Sequence, residues 1–495
     1  MATKMPMDLR DALRRFRSKS LSPQELVEGS LERAASLQPR IQGFLHLDAE
    51  GARAAARDCD PALPLAGIPV GFKDLFDVAG QPATGNSRVF EGRTATHDAP
   101  SVEALRAAGA IVLGKLACWE CGMGGTSFAL PWPPVRNPWR LDRDPGGSST
   151  GSAAVIAAGI CLGALGTDTG GSIREPAAWC GIAGLKPTYG AVSTSGVMAA
   201  SFTLDHAGPM ARTSWDCALL FDALAGGDAC ARSIDLGVAG VRIGVVDLSG
   251  ESNLMLAPDI AAAVERVAQG LSKQGATLTC VRLPPLSQFS SVCTLLAGAE
   301  GLTIHRETVD LLADRYDGLT LHRLLAGRLI SGADYVAADV LRRQLIATTR
   351  NLFREVDLLL MPTTAGTAPL LGEFDSHGGH VSLCRPWNVT GLPALSVRAG
   401  FDRDGLPIGI QIIGRPRDEA LALRAGQAVE TQFEHRTLWP DVEALPIPAP
   451  APSTYPWGAR EVPPELANLM AAAAEEVWRS LLPGGGPASR FAPWG

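Results

Sequence analysis

Apolar residues along this chain recur with two periods, one helical and one extended, and glycine or proline marks where one gives way to the other. Behind Ser22, Pro23 and Glu25, the residues Leu26, Val27, Leu31 and Ala34 fall on one stripe. Ser22 suits an N-cap, Pro23 the first helical position and Glu25 the partner of a capping box, so a helix starts here. Residues 65–75, AGIPVGFKDLF, read as a short strand with Lys73 at its exit. From Pro100, the residues Val102, Leu105 and Ala108 mark an amphipathic helix that Gly109 ends, and 110–114, AIVLG, follow as a buried strand. Helix, glycine stop and strand recur over 152–168 and 264–283. That alternation predicts an α/β layer architecture.

Toward the C-terminus the pattern changes. Proline stands at nearly alternate positions in LPIPAPAPSTYPW, 445–457, which predicts an extended linker without backbone donors. Pro464 then opens a helix with Leu466, Leu469, Met470, Ala473 and Val477 on one stripe, ended by glycines 484–486. The expected organisation is a main domain over 1–444, a linker over 445–463 and a helical appendage over 464–495. That appendage should dock on the main body or on a second copy, leaving a homodimer open.

Composition narrows the class. Of 495 residues, 46% are apolar and 19% charged, enough for a large core, and length alone allows up to about three domains. Lys and Arg number 44 against 51 Asp and Glu, a net charge of −7 with no basic run, which argues against nucleic acid as a direct partner. The first twenty residues have no apolar signal core, and no later stretch reaches membrane-spanning length, so a cytoplasmic protein without a membrane partner is expected. The ten cysteines read as free thiols. Cys118 and Cys121 form a CxxC without a second pair to complete a metal site.

The candidate chemistry lies in 145–188, where two Gly-Gly-Ser clusters end at Ser148 and Ser172. Glycines let the backbone turn sharply, and successive N–H groups can converge on an oxyanion beside an exposed hydroxyl. Gly147-Ser-Ser-Thr-Gly151 also fits a G-x-S-x-G elbow with Ser149 as nucleophile and His377, His380 or His435 as base. The elbow leaves the second cluster without a role. A phosphate loop is excluded, because no Lys-Ser/Thr closes the glycine run. Among the six lysines, none follows serine at S-x-x-K spacing, and Lys73 in GIPVGFKD is the best base by environment, since burial favours the neutral amine. The plainer reading is a solvated lysine beside Asp74.

GIPVGFKD, PGGSSTGSAAV, GTDTGGSIREPAAWCGIAGLKPTYG, LDHAGPMAR, NVTGLPALSV and GLPIGIQIIG, in this order, resemble the signatures of the amidase signature family over residues 5–435. The resemblance implies one α/β/α domain around a large twisted mixed sheet covered by helices. It implies a Ser-Ser-Lys triad with Ser172 as nucleophile, Ser148 as bridge after a cis peptide bond, and Lys73 as base. Thr169, Gly170 and Gly171, with Ser172, are the implied oxyanion hole, braced by Ser149, Asp168 and Arg174. Thr150 replaces a common glycine, and Glu175 brings a charge where many relatives have none. No metal or cofactor is expected. By analogy, Met123, Phe128 and Trp132 line the acyl pocket, so the expected reaction is hydrolysis of a small apolar aryl or alkyl amide, anilide or carbamate. The alternative is a glutamine-hydrolysing A-type subunit of an aminoacyl-tRNA amidotransferase, to which GSIREPA and LKPTYG are also similar.

Overall fold

A computed structural model describes residues 5, 7–251, 253–373, 382–433, 437–448 and 462–481. Its centre is an eleven-stranded mixed sheet. The strands are β1 (Phe44–Leu47), β2 (Pro69–Lys73), β3 (Ile111–Leu116), β4 (Gly163–Asp168), β5 (Ala183–Lys186), β6 (His206–Ala211), β7 (Arg242–Val246), β8 (Thr277–Val281), β9 (Leu358–Pro362), β10 (Ala394–Phe401) and β11 (Pro407–Ile413). They lie in the order β1-β3-β2-β4-β6-β5-β10-β11-β9-β7-β8. β2 runs parallel to both β3 and β4, whereas β5, β6, β10 and β11 pair antiparallel.

Helices cover both faces, which is why the central strands are apolar without alternation. Val70, Phe72, Leu165, Ile410 and Ile412 belong to one core, while Leu113, Ala164 and Met210 face the other with the helix Thr150–Ala157. Ser22 caps the helix Pro23–Ile41 through a complete capping box with Glu25. Gly109 and Gly275 adopt φ of +93° and +92°, so each ends its helix where the chain turns into a strand.

The helix Pro464–Leu481 docks on this same chain. Ala473 and Val477 join Phe289, Leu295 and Leu341 in one cluster, and Trp478 Nε1 donates to Asp334 Oδ1 at 2.8 Å. Residues 449–461 of the expected linker and glycines 484–486 lie outside the described residues, as do His377, His380 and His435. Among the described residues no helix is long and apolar enough to cross a membrane.

Candidate active site

Because β2 and β4 are parallel neighbours, their C-terminal ends open on one edge of the sheet, and β2 delivers Lys73 there. Its side chain is 0% exposed, and Nζ donates to Ser148 Oγ and Thr167 Oγ1, each at 2.7 Å. Asp74 turns away to pair with Lys115 at 2.6 Å, so the solvated Lys73–Asp74 arrangement is not what the fold builds. Burial pushes the Lys73 ammonium down to about 8, against the pull of nearby Cys118, Asp205 and Asp168. At neutral pH a usable fraction is the free amine.

Ser148 reaches Lys73 from the first glycine turn, where the Gly147–Ser148 peptide bond is cis. Trp119 lies across this turn: a Cβ on Gly147 would come within 2.1–2.5 Å of its indole ring. Gly147→Ala is therefore expected to cost about 1–3 kcal/mol of stability by overpacking. It should also lower kcat/KM by roughly 100-fold, since a displacement of about 1 Å at the reacting groups suffices for that. Thermal unfolding and steady-state kinetics on the one variant check both.

Ser149 faces inward. Its hydroxyl donates to Thr167 O at 3.2 Å and accepts from Thr167 N at 3.3 Å, which ties the first turn to β4 and leaves this side chain fully buried. No histidine touches it among the described residues. Its backbone N–H donates to Ser172 O at 3.2 Å, and this bond joins the two glycine turns.

The second turn follows β4. Asp168 Oδ1 accepts from Gly171 N at 2.8 Å and Oδ2 from Ile173 N at 3.1 Å. Arg174 grips the same carboxylate in a fork, Nε to Oδ2 and Nη2 to Oδ1, both at 2.9 Å. Burial alone would raise the Asp168 pKa, but the Arg174 guanidinium holds it well below the usual carboxylate range. Gly171 N–H is thereby occupied by Asp168, and among the described residues no partner is seen for the amides of Thr169, Gly170 and Ser172.

Several residues here carried no role in the sequence reading. Asn388 Nδ2 donates to Asp168 O at 2.8 Å, and its Oδ1 accepts from Arg174 Nη2 at 2.7 Å. Gln411 Oε1 accepts from Arg174 Nη1 at 3.1 Å, and Asp205 Oδ1 accepts from Thr169 Oγ1 at 2.6 Å. All three lie inside motifs that carried the resemblance, so a signal for them existed. Thr167, the second partner of Lys73, also stood within the central block. Burial pushes the Glu175 carboxyl up to about 8, against the pull of Gly147 N–H, which donates to Oε1 at 3.3 Å, and of Arg385.

A model of the family described as Amidase matches residues 25–423. The chain belongs to the amidase signature family. A curated relative from Roseiflexus castenholzii, the A-type subunit of glutamyl-tRNA(Gln) amidotransferase, is 38% identical to this amidase over 85% of this chain and 95% of its own. The solved counterpart of that subunit from Thermotoga maritima superposes with a TM-score of 0.74 at 30% identity, covering 90% of this chain and 98% of its own. A chain solved as part of a vestigial protein complex behind the origins of an s-triazine catabolic enzyme gives 0.80 at 31%, covering 86% and 98%.

These relatives overturn the small apolar amide as substrate, together with the small-molecule-only and no-nucleic-acid expectations. The amide class rested on Met123, Phe128 and Trp132 as one apolar wall, and residue types alone do not fix a substrate. Met123 packs with Cys121, Leu324 and Leu325, and the Phe128 ring lies against Gly372. Trp132 lines a cavity of about 20 Å³ with Cys118, Trp119 and Ser127. Net charge, for its part, speaks only to direct contact by this chain and not to what a complex containing it engages.

Proposed function

We propose that this amidase is the A-type subunit of a glutamyl-tRNA(Gln) amidotransferase, cytoplasmic, releasing ammonia from the side-chain amide of glutamine through an acyl-Ser172 intermediate. The observation that carries the reading is length: identity of 37–38% extends over 95–97% of such subunits from Roseiflexus and Anaeromyxobacter. In the mechanism, neutral Lys73 withdraws the proton of Ser148, and Ser148 takes that of Ser172 as Ser172 Oγ attacks the amide carbon. The amides of Thr169, Gly170 and Ser172 hold the oxyanion. Ser148 returns a proton to the departing nitrogen, so ammonia leaves as a neutral molecule. Water, deprotonated through the same relay, then cleaves the ester to glutamate and restores Ser172. Asp168, Arg174, Ser149 and Asn388 keep the two turns in register without touching substrate.

The test supplies amide-¹⁵N glutamine and glutamyl-tRNA(Gln) to the chain with its companion subunits. The label is expected in glutaminyl-tRNA, with little turnover of anilides by the chain alone. Rapid anilide hydrolysis by the lone chain, with no label reaching tRNA, would refute the assignment.

A further inference from the structure

We infer that Asp205 is a positioning residue of the acylation step: it holds the Thr169 side chain so that the Thr169 amide stays aimed at the oxyanion. This role rests on acylation of Ser172, whichever amide is cleaved.

Thr169 N–H belongs to the peptide unit that follows Asp168, and that unit is anchored at both ends. It is trans, so its C=O and N–H point in opposite directions. The carbonyl, Asp168 O, accepts from Asn388 Nδ2 at 2.8 Å and lies 3.2 Å from His206 Nδ1. Leu204 O is 2.7 Å from the same ring nitrogen, and because both of its neighbours are carbonyl oxygens, Nδ1 carries the proton. The other end is held through the side chain, where Thr169 Oγ1 donates to Asp205 Oδ1 at 2.6 Å. Without this second anchor the peptide plane can swing about the pinned carbonyl and carry the N–H off line. Among the described residues that N–H has no protein partner, as a donor kept for an oxyanion requires.

The anchor is itself built in. Asp168 pairs with His206 at the end of the β4–β6 ladder, so one register sets both His206 and its neighbour Asp205 against the turn. Asp205 Oδ2 accepts from Ala200 N at 2.8 Å and Ser201 N at 3.0 Å, and its own N–H donates to Ser201 O at 2.9 Å. Thr203 Oγ1 donates to Glu300 Oε1 at 2.7 Å and Tyr335 OH to the same oxygen at 2.9 Å, which ties residues 200–205 to the helix Leu286–Leu312. Three donors thus occupy the Asp205 carboxylate, which suits an anchor better than a group that meets substrate. An ionised acceptor also holds a hydroxyl more tightly than a neutral one would.

The experiment uses the full-length chain and a fluorophosphonate, whose P=O oxygen takes the oxyanion position as Ser172 Oγ bonds to phosphorus and fluoride leaves. The inactivation rate is measured against concentration for wild type, Thr169→Val, Asp205→Ala and the double variant, which separates the maximal rate from the half-saturating concentration. Thr169→Val keeps the backbone amide and the side-chain shape and removes only the anchored hydroxyl. Each single variant should lower the maximal rate by about 30-fold with half-saturation little changed, short of the roughly 100-fold or more that loss of a whole oxyanion donor costs. The double variant should be no slower than the slower single one, because both changes cut the same bond. Asp205→Asn, whose amide can still pair with Thr169 Oγ1, should recover part of the rate.

If Asp205 only supports the 200–205 loop, Thr169→Val will react at the wild-type rate or the two losses will multiply in the double variant, and either result overturns the inference. Thr169→Val leaves the Ala200 and Ser201 bonds to Asp205 in place, so it decides the question even if Asp205→Ala does not fold. A wild-type adduct on a serine other than Ser172 would remove the mechanism and this role together. The expected loss in Thr169→Val, in a chain that does not hydrolyse glutamine, would uphold Asp205 and sink glutamine as the substrate.

Discussion

Replacing Ser172 with alanine is expected to abolish amide turnover, by about 10⁴-fold or more, while leaving the fold unchanged. The two halves of that statement have separate causes. Turnover falls because the hydroxyl is the only group proposed to become acylated. The fold survives because the turn is held through backbone atoms and through neighbours. Ser172 contributes its carbonyl to the Ser149 N–H, and the Asp168–Arg174–Asn388 network is complete without the hydroxyl. Unfolding stability should thus stay within about 0.5 kcal/mol of wild type. Ser149→Ala should behave in the opposite way. It removes the hydroxyl that both donates to and accepts from Thr167, so stability falls by about 1–3 kcal/mol while acylation persists. A loss of turnover in Ser149→Ala with Ser172→Ala still active would restore the elbow reading.

The second large effect concerns the base. With the Lys73 pKa at about 8, its neutral fraction rises with pH up to and through that value, so kcat/KM should climb tenfold per pH unit below 8 and level off above it. Lys73→Arg should abolish this limb and lower activity at pH 7 by about 10³-fold, because a guanidinium stays protonated and cannot accept from Ser148. The sign for stability follows from the same shift. Burial lowers the folded pKa below the ordinary lysine value of 10.5, so between about 8 and 10.5 the unfolded chain binds more protons than the folded one. Stability carried by this group therefore rises with pH across that window, and below about 8 the cost of burying the charge is fully present. Amides should suffer more than esters in Lys73→Arg, since an alkoxide leaves without the proton that ammonia needs. A flat pH profile in wild type between 6 and 9, or an Arg variant of near-normal activity, contradicts Lys73 as base.

The parts of the fold legible in the sequence were those with local signals. The capping box at Ser22, the glycine stops at 109 and 275, and the apolar runs of β2, β3, β4 and β8 each carry their own propensity. In the antiparallel middle of the sheet, β5 and β6 had no comparable signal, because these buried strands show no alternation and pair with β4 and β10 across long sequence separations, whereas β10 and β11 form a hairpin whose Asp404-Gly405 turn is a local signal that the sequence reading left unused. In the site, Lys73 stood out because it was a lysine in an apolar strand. Asn388 and Gln411 did not, because their value lies in contacts with Asp168 and Arg174 more than 200 positions away. The substrate class failed for the complementary reason: Met, Phe and Trp look the same in a sequence whether they face a ligand or pack inside.

The claim on which the rest depends is that the second glycine turn carries the nucleophile. The most direct measurement is peptide mapping of the fluorophosphonate adduct on the native chain by mass spectrometry. The expected result is one adduct, on Ser172, with Ser148 and Ser149 unmodified. An adduct on Ser149 with Ser172 free would contradict the mechanism.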